Sequence, residues 1–463
     1  MRTTDPAEVA VPLDPCWQTR LSGPLKRVCL NRDFVLFTLG MSASATGMWI
    51  QTVAIGWVVL DMTNSAFALG LVGFARLVPV LLLGMPAGAL ADRCDHRRFL
   101  VFAQAFGLVV YTALAAAAWL GMLTLPLMLG LAFLAGICDA FSWTFISVLV
   151  KDIVGPEQFR IAVAINQARF NLTRVVGPAI GGFVLAGFGA PVALTISALG
   201  MAGIVLALTR IHPVCQPAPA PAPWLSGLRD GVRYAFTVPR IRRLLLISAG
   251  VGFFVMPLQQ LLPAVARDQL GLGPEGLGWL TTGVGVGAIV GAVFSPTRFS
   301  QQHTRRLLVG LPVGAALGLA LLGQAGSWPP AMGALALVGL CAIAYMTIAS
   351  ATLQLMVRDQ VTGRVVGLMT VLQGGTTPLG ALALGALADR LSLPVTFLCA
   401  GIGVALVALA TAMVPDGEES AAQPLRKSWW MRVTELRLAV SALAPVEVAL
   451  RRAVDRGPTA PRV

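Results

Sequence analysis

Four ionisable side chains stand deep inside apolar runs of the sequence: Asp139, Arg76, Arg169 and Arg174. An ionised group at the centre of a bilayer costs about 2.5–3.5 kcal/mol on insertion scales, so such residues face a cavity or pair with one another. Asp139 is about 14 residues into its run and Arg174 about 13 into the next, which at ~1.5 Å per residue puts both near mid-depth. At that depth Asp139 is within reach of Arg174, and Arg169, shallower on the cytoplasmic half, is the other expected partner on that span. Asp139 is the only acid well inside a run, so it is the one group there that can trade a cation partner for a proton. A pair that opens on protonation would tie a proton to a movement; a static pair that only joins two helices is the plainer alternative. Three cations against one acid would give a cavity a positive potential, suited to an anionic or catecholate-like ligand.

Polar and aromatic residues at similar depth are candidates to line such a cavity: Trp49, Gln51, Trp143, Gln259, Gln260, Tyr345 and Gln373. Within NQARFNLTR (166–174), Asn166, Arg169 and Thr173 fall on one helical face and Gln167, Asn171 and Arg174 on another. Asn166 and Asn171 join the candidates. Any one of these residues would serve equally well in packing or in an interhelical hydrogen bond.

Other chemistries find no footing. The sequence has no GxxxxGK[ST] loop, no GxSxG elbow and no metal-ligand spacing, so neither an enzyme nor an ATP-driven pump is expected, and no cofactor or metal. GVGVGAIVG (283–291) has Ala288 where a dinucleotide loop needs glycine; Gly287 and Gly291 suit close helix packing better. His96, His212 and His303 fall in polar breaks, where no part in the site is expected.

The elements that must position these residues are membrane helices. The chain has 463 residues, 56% hydrophobic and 12% charged, with a mean hydropathy of +0.78. Apolar runs long enough to cross a ~30 Å hydrocarbon core recur throughout. They predict spans at 34–60, 66–90, 99–121, 124–150, 161–188 and 191–209, then at 243–266, 276–296, 306–326, 329–356, 365–388 and 393–414. The fold expected is all-α: two pseudo-symmetric six-helix bundles, 34–209 and 243–414. An N-terminal segment (1–33), a linker (210–242) and a basic tail (415–463) complete it. Lys and Arg crowd into the tails and the even-numbered breaks, whereas the odd-numbered breaks hold only Arg267 and Arg390. Both termini are therefore expected in the cytoplasm. The net charge of +13 points to the anionic inner leaflet rather than to nucleic acid. The seven cysteines form no disulfide framework by position. QPAPAPAPW (216–224) reads as a stiff polyproline-like stretch, followed by an amphipathic helix; RKSWWMRVTELRLAV (426–440) reads as an interfacial helix.

Two repeats stand out. VKDIVGPEQFRIAVAINQ (150–167) matches VRDQVTGRVVGLMTVLQ (357–373), each joining the fourth span of its half to the fifth. GALADR occurs at 88–93 and again at 385–390. The first copy leaves a span on the cytoplasmic side and the second on the far side, so topology makes them unequal.

Twelve spans in two halves, with GxLADRxxxRR after the second, resemble the major facilitator superfamily. Within it, GMWIQTVAIGWVVLDMTNSAFALGLVG (47–73), VVGPAIGG (175–182) and GLRDGVRYAFTVPRIRRLLL (227–246) are similar to the subgroup typified by enterobactin exporters, a pattern shared by some macrolide and multidrug exporters. The resemblance implies a monomeric secondary transporter of a bacterial inner membrane. It would export a small organic molecule, a siderophore or alternatively a drug or macrolide, by proton-coupled alternating access. A facilitator-fold protein that senses or scaffolds through its tail is the reading from another class. The resemblance also implies a latch at Gly88, Asp92, Arg93, Arg97 and Arg98, with Asp92 set against the N-terminus of the eleventh span near Val365. The arginines would in any case enforce topology. Asp95 and His96 depart from the latch pattern, and SPTRFSQQHTRR (295–306) in the second half has no acidic residue, so the latch is expected on one side only.

Overall fold

A computed structural model describes residues 27–91, 94–212, 238–293, 301–357 and 362–412. Asp92 and Arg93, the polyproline-like stretch and the part of the amphipathic linker segment before residue 238, and the interfacial helix of the tail lie outside the described residues.

The first half opens with α1, Arg32–Thr63, whose N-cap Asn31 accepts from Phe34 N at 3.0 Å. The helix ends where Asn64 turns left-handed at φ 49°, a conformation asparagine tolerates better than most residues. There follow α2, Ala66–Ala91, and α3, His96–Trp119, capped by Asp95 through Arg98 N at 3.0 Å. Residues 125–210 run on as helix except at Gly155 (φ 75°) and Gly189 (φ 80°). Those backbone angles are open to glycine at no steric cost and turn the chain twice, leaving α4 (125–154), α5 (156–188) and α6 (190–210).

The second half begins with α7, Pro239–Gln269. The sequence predicts one unbroken span there, but Pro257 caps a break after Phe254, and the helix closes in a π turn over Val265–Gln269. Then come α8, Pro274–Val293, α9, Gln301–Gly323, α10, Trp328–Met356, α11, Thr362–Leu391, and α12, Leu393–Ala412. Ten stretches are long and apolar enough to cross a membrane. One of them, Glu157–Arg210, turns at Gly189 and makes two passes, and Pro274–Val293 adds a 20-residue helix, so the described residues hold twelve helical passes.

Within each half the helices meet through small residues, as expected where lipid supplies no hydrophobic drive between them. A Cβ at Gly287 would overlap the Ala336 carbonyl, which brings α8 and α10 to backbone contact. Between the halves, α2 packs on α11, α5 on α8, and α1 and α2 on α7. These contacts gather at the end remote from the linker, called here the far end. There a Cβ at Gly70 would overlap the Ala381 carbonyl, and one at Gly182 would stand 3.0 Å from Gly278 Cα. Leu81 still touches Gly375 near the middle. Toward the linker end, Gly84 on α2 and Gly367 on α11 have no heavy atom within 4 Å of a Cβ position. Among the described residues, the close backbone contacts between the halves stand at the far end, which they shut, and near the middle.

Candidate functional site

The close approach of α4 to α2 builds the first part of the site. Gly136 presses on α2 so tightly that a Cβ would overlap the Arg76 carbonyl oxygen and stand 3.2 Å from Pro79 Cγ. One turn further along α4, Asp139 faces the same helix. Arg76 Nε donates to Asp139 Oδ2 at 2.9 Å, and Arg76 Nη2 donates to the Tyr111 hydroxyl on α3 at 3.4 Å. This corrects the pairing expected from sequence: Asp139 meets Arg76 and not Arg169 or Arg174. Depth along a helix fixes height but not azimuth, and the close approach at Gly136 brings Asp139 against α2. Side-chain exposures of 19% for Arg76 and 20% for Asp139 leave the pair unsealed.

The second part is a set of polar atoms without partners. Arg169 directs Nε and Nη2 at Asn166 Oδ1 (3.1 and 2.8 Å), but its Nη1 is buried without a hydrogen bond. Buried and equally unpartnered among the described residues are Trp49 Nε1 and Gln51 Oε1 on α1, Arg174 Nε on α5, Gln259 Nε2 and Gln260 Oε1 on α7, and Gln373 Nε2 on α11. Such atoms are few in folded proteins, and each calls for a water or a ligand. Trp49 lies over Gly177 of α5, its ring 6.4 Å from that of Phe170. The Gln260 side chain crosses between the halves to Gly73 of α2. These residues come from both halves, and Asn171 is half-buried on the α5 stretch they share.

Two sequence candidates sit elsewhere. Tyr345 is buried within the second half, its hydroxyl donating to Leu244 O at 3.2 Å and 3.1 Å from Ser248 Oγ. It joins α10 to α7. Trp143 is 62% exposed, so it is not enclosed with the unpartnered set.

Of the loop motif, Gly88 lies in the last turns of α2. Arg97 donates from Nε to Leu208 O (2.9 Å) and from Nη2 to Thr209 O (2.8 Å), a cation on the C-terminal carbonyls of α6. Arg98 is exposed and 3.3 Å from Asp95. His96, given no part by the sequence, is buried with Nδ1 2.6 Å from Asp152 Oδ2, and ties α3 to the end of α4. Sequence reasoning also missed Tyr111. Its one signal is that a tyrosine, a type the chain uses only three times, stands in mid-span.

A bundle of long apolar helices in two halves, with a half-buried charge pair in one half and partnerless polar atoms drawn from both, has the make-up of a membrane transporter. Residues 30–457 match the family model described as transmembrane secretion effector. The chain belongs to that family, within the major facilitator superfamily. It is 29% identical over 395 residues to the multidrug efflux pump Tap of Mycobacterium tuberculosis, covering 82% of this chain and 92% of that one. It is 25% identical over 398 residues to the enterobactin exporter EntS of Escherichia coli, covering 84% and 91%. Among solved structures it superposes on the nucleoside transporter NupG with a TM-score of 0.68 at 13% identity, covering 82% of this chain and 98% of that one, which speaks for the fold alone.

Proposed function

We propose that this protein is a proton-coupled exporter of a small organic molecule, working by alternating access in a bacterial inner membrane with both termini in the cytoplasm. One observation carries the reading: the half that holds the Arg76–Asp139 pair and the half facing it both contribute buried polar atoms that no described protein group satisfies, and Gln260 of the second half reaches Gly73, one turn from Arg76 on α2. Protonation of Asp139 removes the charge that holds Arg76, and α4 is then free to move against α2. With the termini in the cytoplasm, the shut far end faces outward, the state in which an exporter loads from inside.

The substrate is a siderophore. Of the seven unpartnered atoms named above, five are donors (Trp49 Nε1, Arg169 Nη1, Arg174 Nε, Gln259 Nε2 and Gln373 Nε2), two of them cationic, against two acceptors, Gln51 Oε1 and Gln260 Oε1. A ligand rich in acceptor oxygens or carrying negative charge satisfies the donors. Asn166, Asn171, Gln51 and Gln260 supply further polar contacts. Drug efflux is the second reading, favoured by the similarity to Tap and by the Trp49–Phe170 aromatic wall.

Loading of everted vesicles separates the two. Uptake of catecholate or carboxylate siderophores, with cationic drugs excluded, supports the first; uptake of lipophilic cationic drugs alone refutes it and establishes the second.

A further inference from the structure

Besides its close glycine packing, the far end of the molecule carries two charged contacts between the halves. The short turn between α1 and α2 belongs to the first half, and both helix ends that flank it receive a charge from the second half. At the start of α2, Asp389 accepts from Ser65 Oγ at 2.5 Å, Ala66 N at 2.6 Å and Phe67 N at 3.1 Å. The first N–H groups of a helix have no intrahelical partner, and they carry the positive end of its dipole. Ser65 completes the cap by accepting from Ala68 N at 3.2 Å. At the end of α1, Arg267 Nη1 donates to Leu60 O at 2.9 Å, while Asp268 holds its Nε at 2.7 Å. The last carbonyls of a helix are its negative end. An anion therefore sits on a helix N-terminus and a cation on a helix C-terminus, a few residues apart on one hairpin.

We propose that Asp389 and Arg267 form a two-point clamp on the α1–α2 turn, and that releasing it opens the far side. The clamp explains why GALADR recurs at the end of α11. Gly385 and Asp389 are four apart and share a helix face. A Cβ at Gly385 would stand 2.7 Å from Ala66 O and 3.0 Å from Phe67 Cα, so the glycine admits the first turn of α2 and the aspartate caps it. It also explains Arg267, one of the two basic residues the sequence places on the far side. The proposal concerns the closed state alone and depends neither on substrate nor on proton coupling.

Spin labels on Met62 of α1 and Leu391 of α11, both exposed at the far end, read the gate directly in full-length protein in lipid nanodiscs with the native cysteines replaced. Wild type gives a short-distance population. Asp389→Asn and Arg267→Gln each add a longer-distance population, and Ser65→Ala, which removes one donor of three, adds a smaller one. The exchange Arg267→Asp with Asp389→Arg keeps both charges but puts each on the wrong helix end, so the long population persists. Distances in Asp389→Asn that superimpose on wild type overturn the clamp, as does an exchange variant that recovers the short distance, which is the behaviour of a simple ion pair. Should substrate loading fail while these distances shift, the export reading falls and the clamp stands.

Discussion

Gly136→Ala tests how the charge pair is positioned without touching either charge. The added methyl would overlap the Arg76 carbonyl oxygen and stand 2.9 Å from its carbon, where relaxed carbon contacts need ~3.5–4.0 Å. Either α4 or α2 must retreat by about 1 Å. Asp139 is one turn away on the same helix, so its 2.9 Å bond to Arg76 stretches to ~4 Å, beyond hydrogen-bonding range. Overpacking costs about 1–3 kcal/mol, and a hydrogen bond to a charged group is worth about 1.5–3 kcal/mol. The expected loss is therefore about 3 kcal/mol or more, read by denaturant unfolding in lipid or detergent, together with loss of gradient-driven transport. Gly130→Ala is the matched control. It lies on the same helix with nothing within 4 Å and should be neutral or up to ~1 kcal/mol more stable. A Gly136→Ala protein within ~0.5 kcal/mol of wild type that still transports against a gradient refutes the account of the α2–α4 contact.

A double-mutant cycle on Arg76→Gln and Asp139→Asn should give a coupling of about 2 kcal/mol, with each single variant costlier than half the double, because removing one partner strands the other charge; strict additivity in the unfolding data contradicts the pair. Tyr345→Phe should lose about 0.5–1.5 kcal/mol of stability and leave the substrate KM unchanged; a raised KM returns Tyr345 to the cavity. Arg174→Gln should raise the KM for an anionic substrate about tenfold, a ~1.4 kcal/mol effect, and barely change stability, since among the described residues no group pairs with its Nε. Deleting 416–463 should leave transport intact in vesicles; loss of transport with normal membrane insertion would favour a sensing or scaffolding tail.

The helices were legible because hydropathy and length fix which residues lie in the membrane, and glycines and prolines punctuate the runs. The candidate cavity was legible for the same reason: Trp49, Gln259, Gln260 and Gln373 are polar at depths where polarity is costly, and the structure buries each with an unpartnered atom. Azimuth was not legible. Arg76 and Arg174 both stood well inside their spans, and only the fold shows that α4 turns Asp139 toward α2. Tyr345 had the depth of a cavity residue, but a carbonyl and a hydroxyl on α7 take up its hydroxyl group. The partner of Asp389 lies 322 to 324 positions away, and no local pattern marks it; the repeated hexapeptide was visible and its purpose was not. The break in α7 was signalled by Pro257, yet its site was lost in an otherwise continuous apolar run.

Substrate flux in proteoliposomes, measured in two modes, tests the coupling claim most directly. Wild type should accumulate substrate when a proton gradient is imposed and should also exchange substrate with no gradient. Asp139→Asn should keep exchange and lose accumulation, because the cavity survives while the group that carries the proton does not. Accumulation by Asp139→Asn equal to that of wild type would contradict the account.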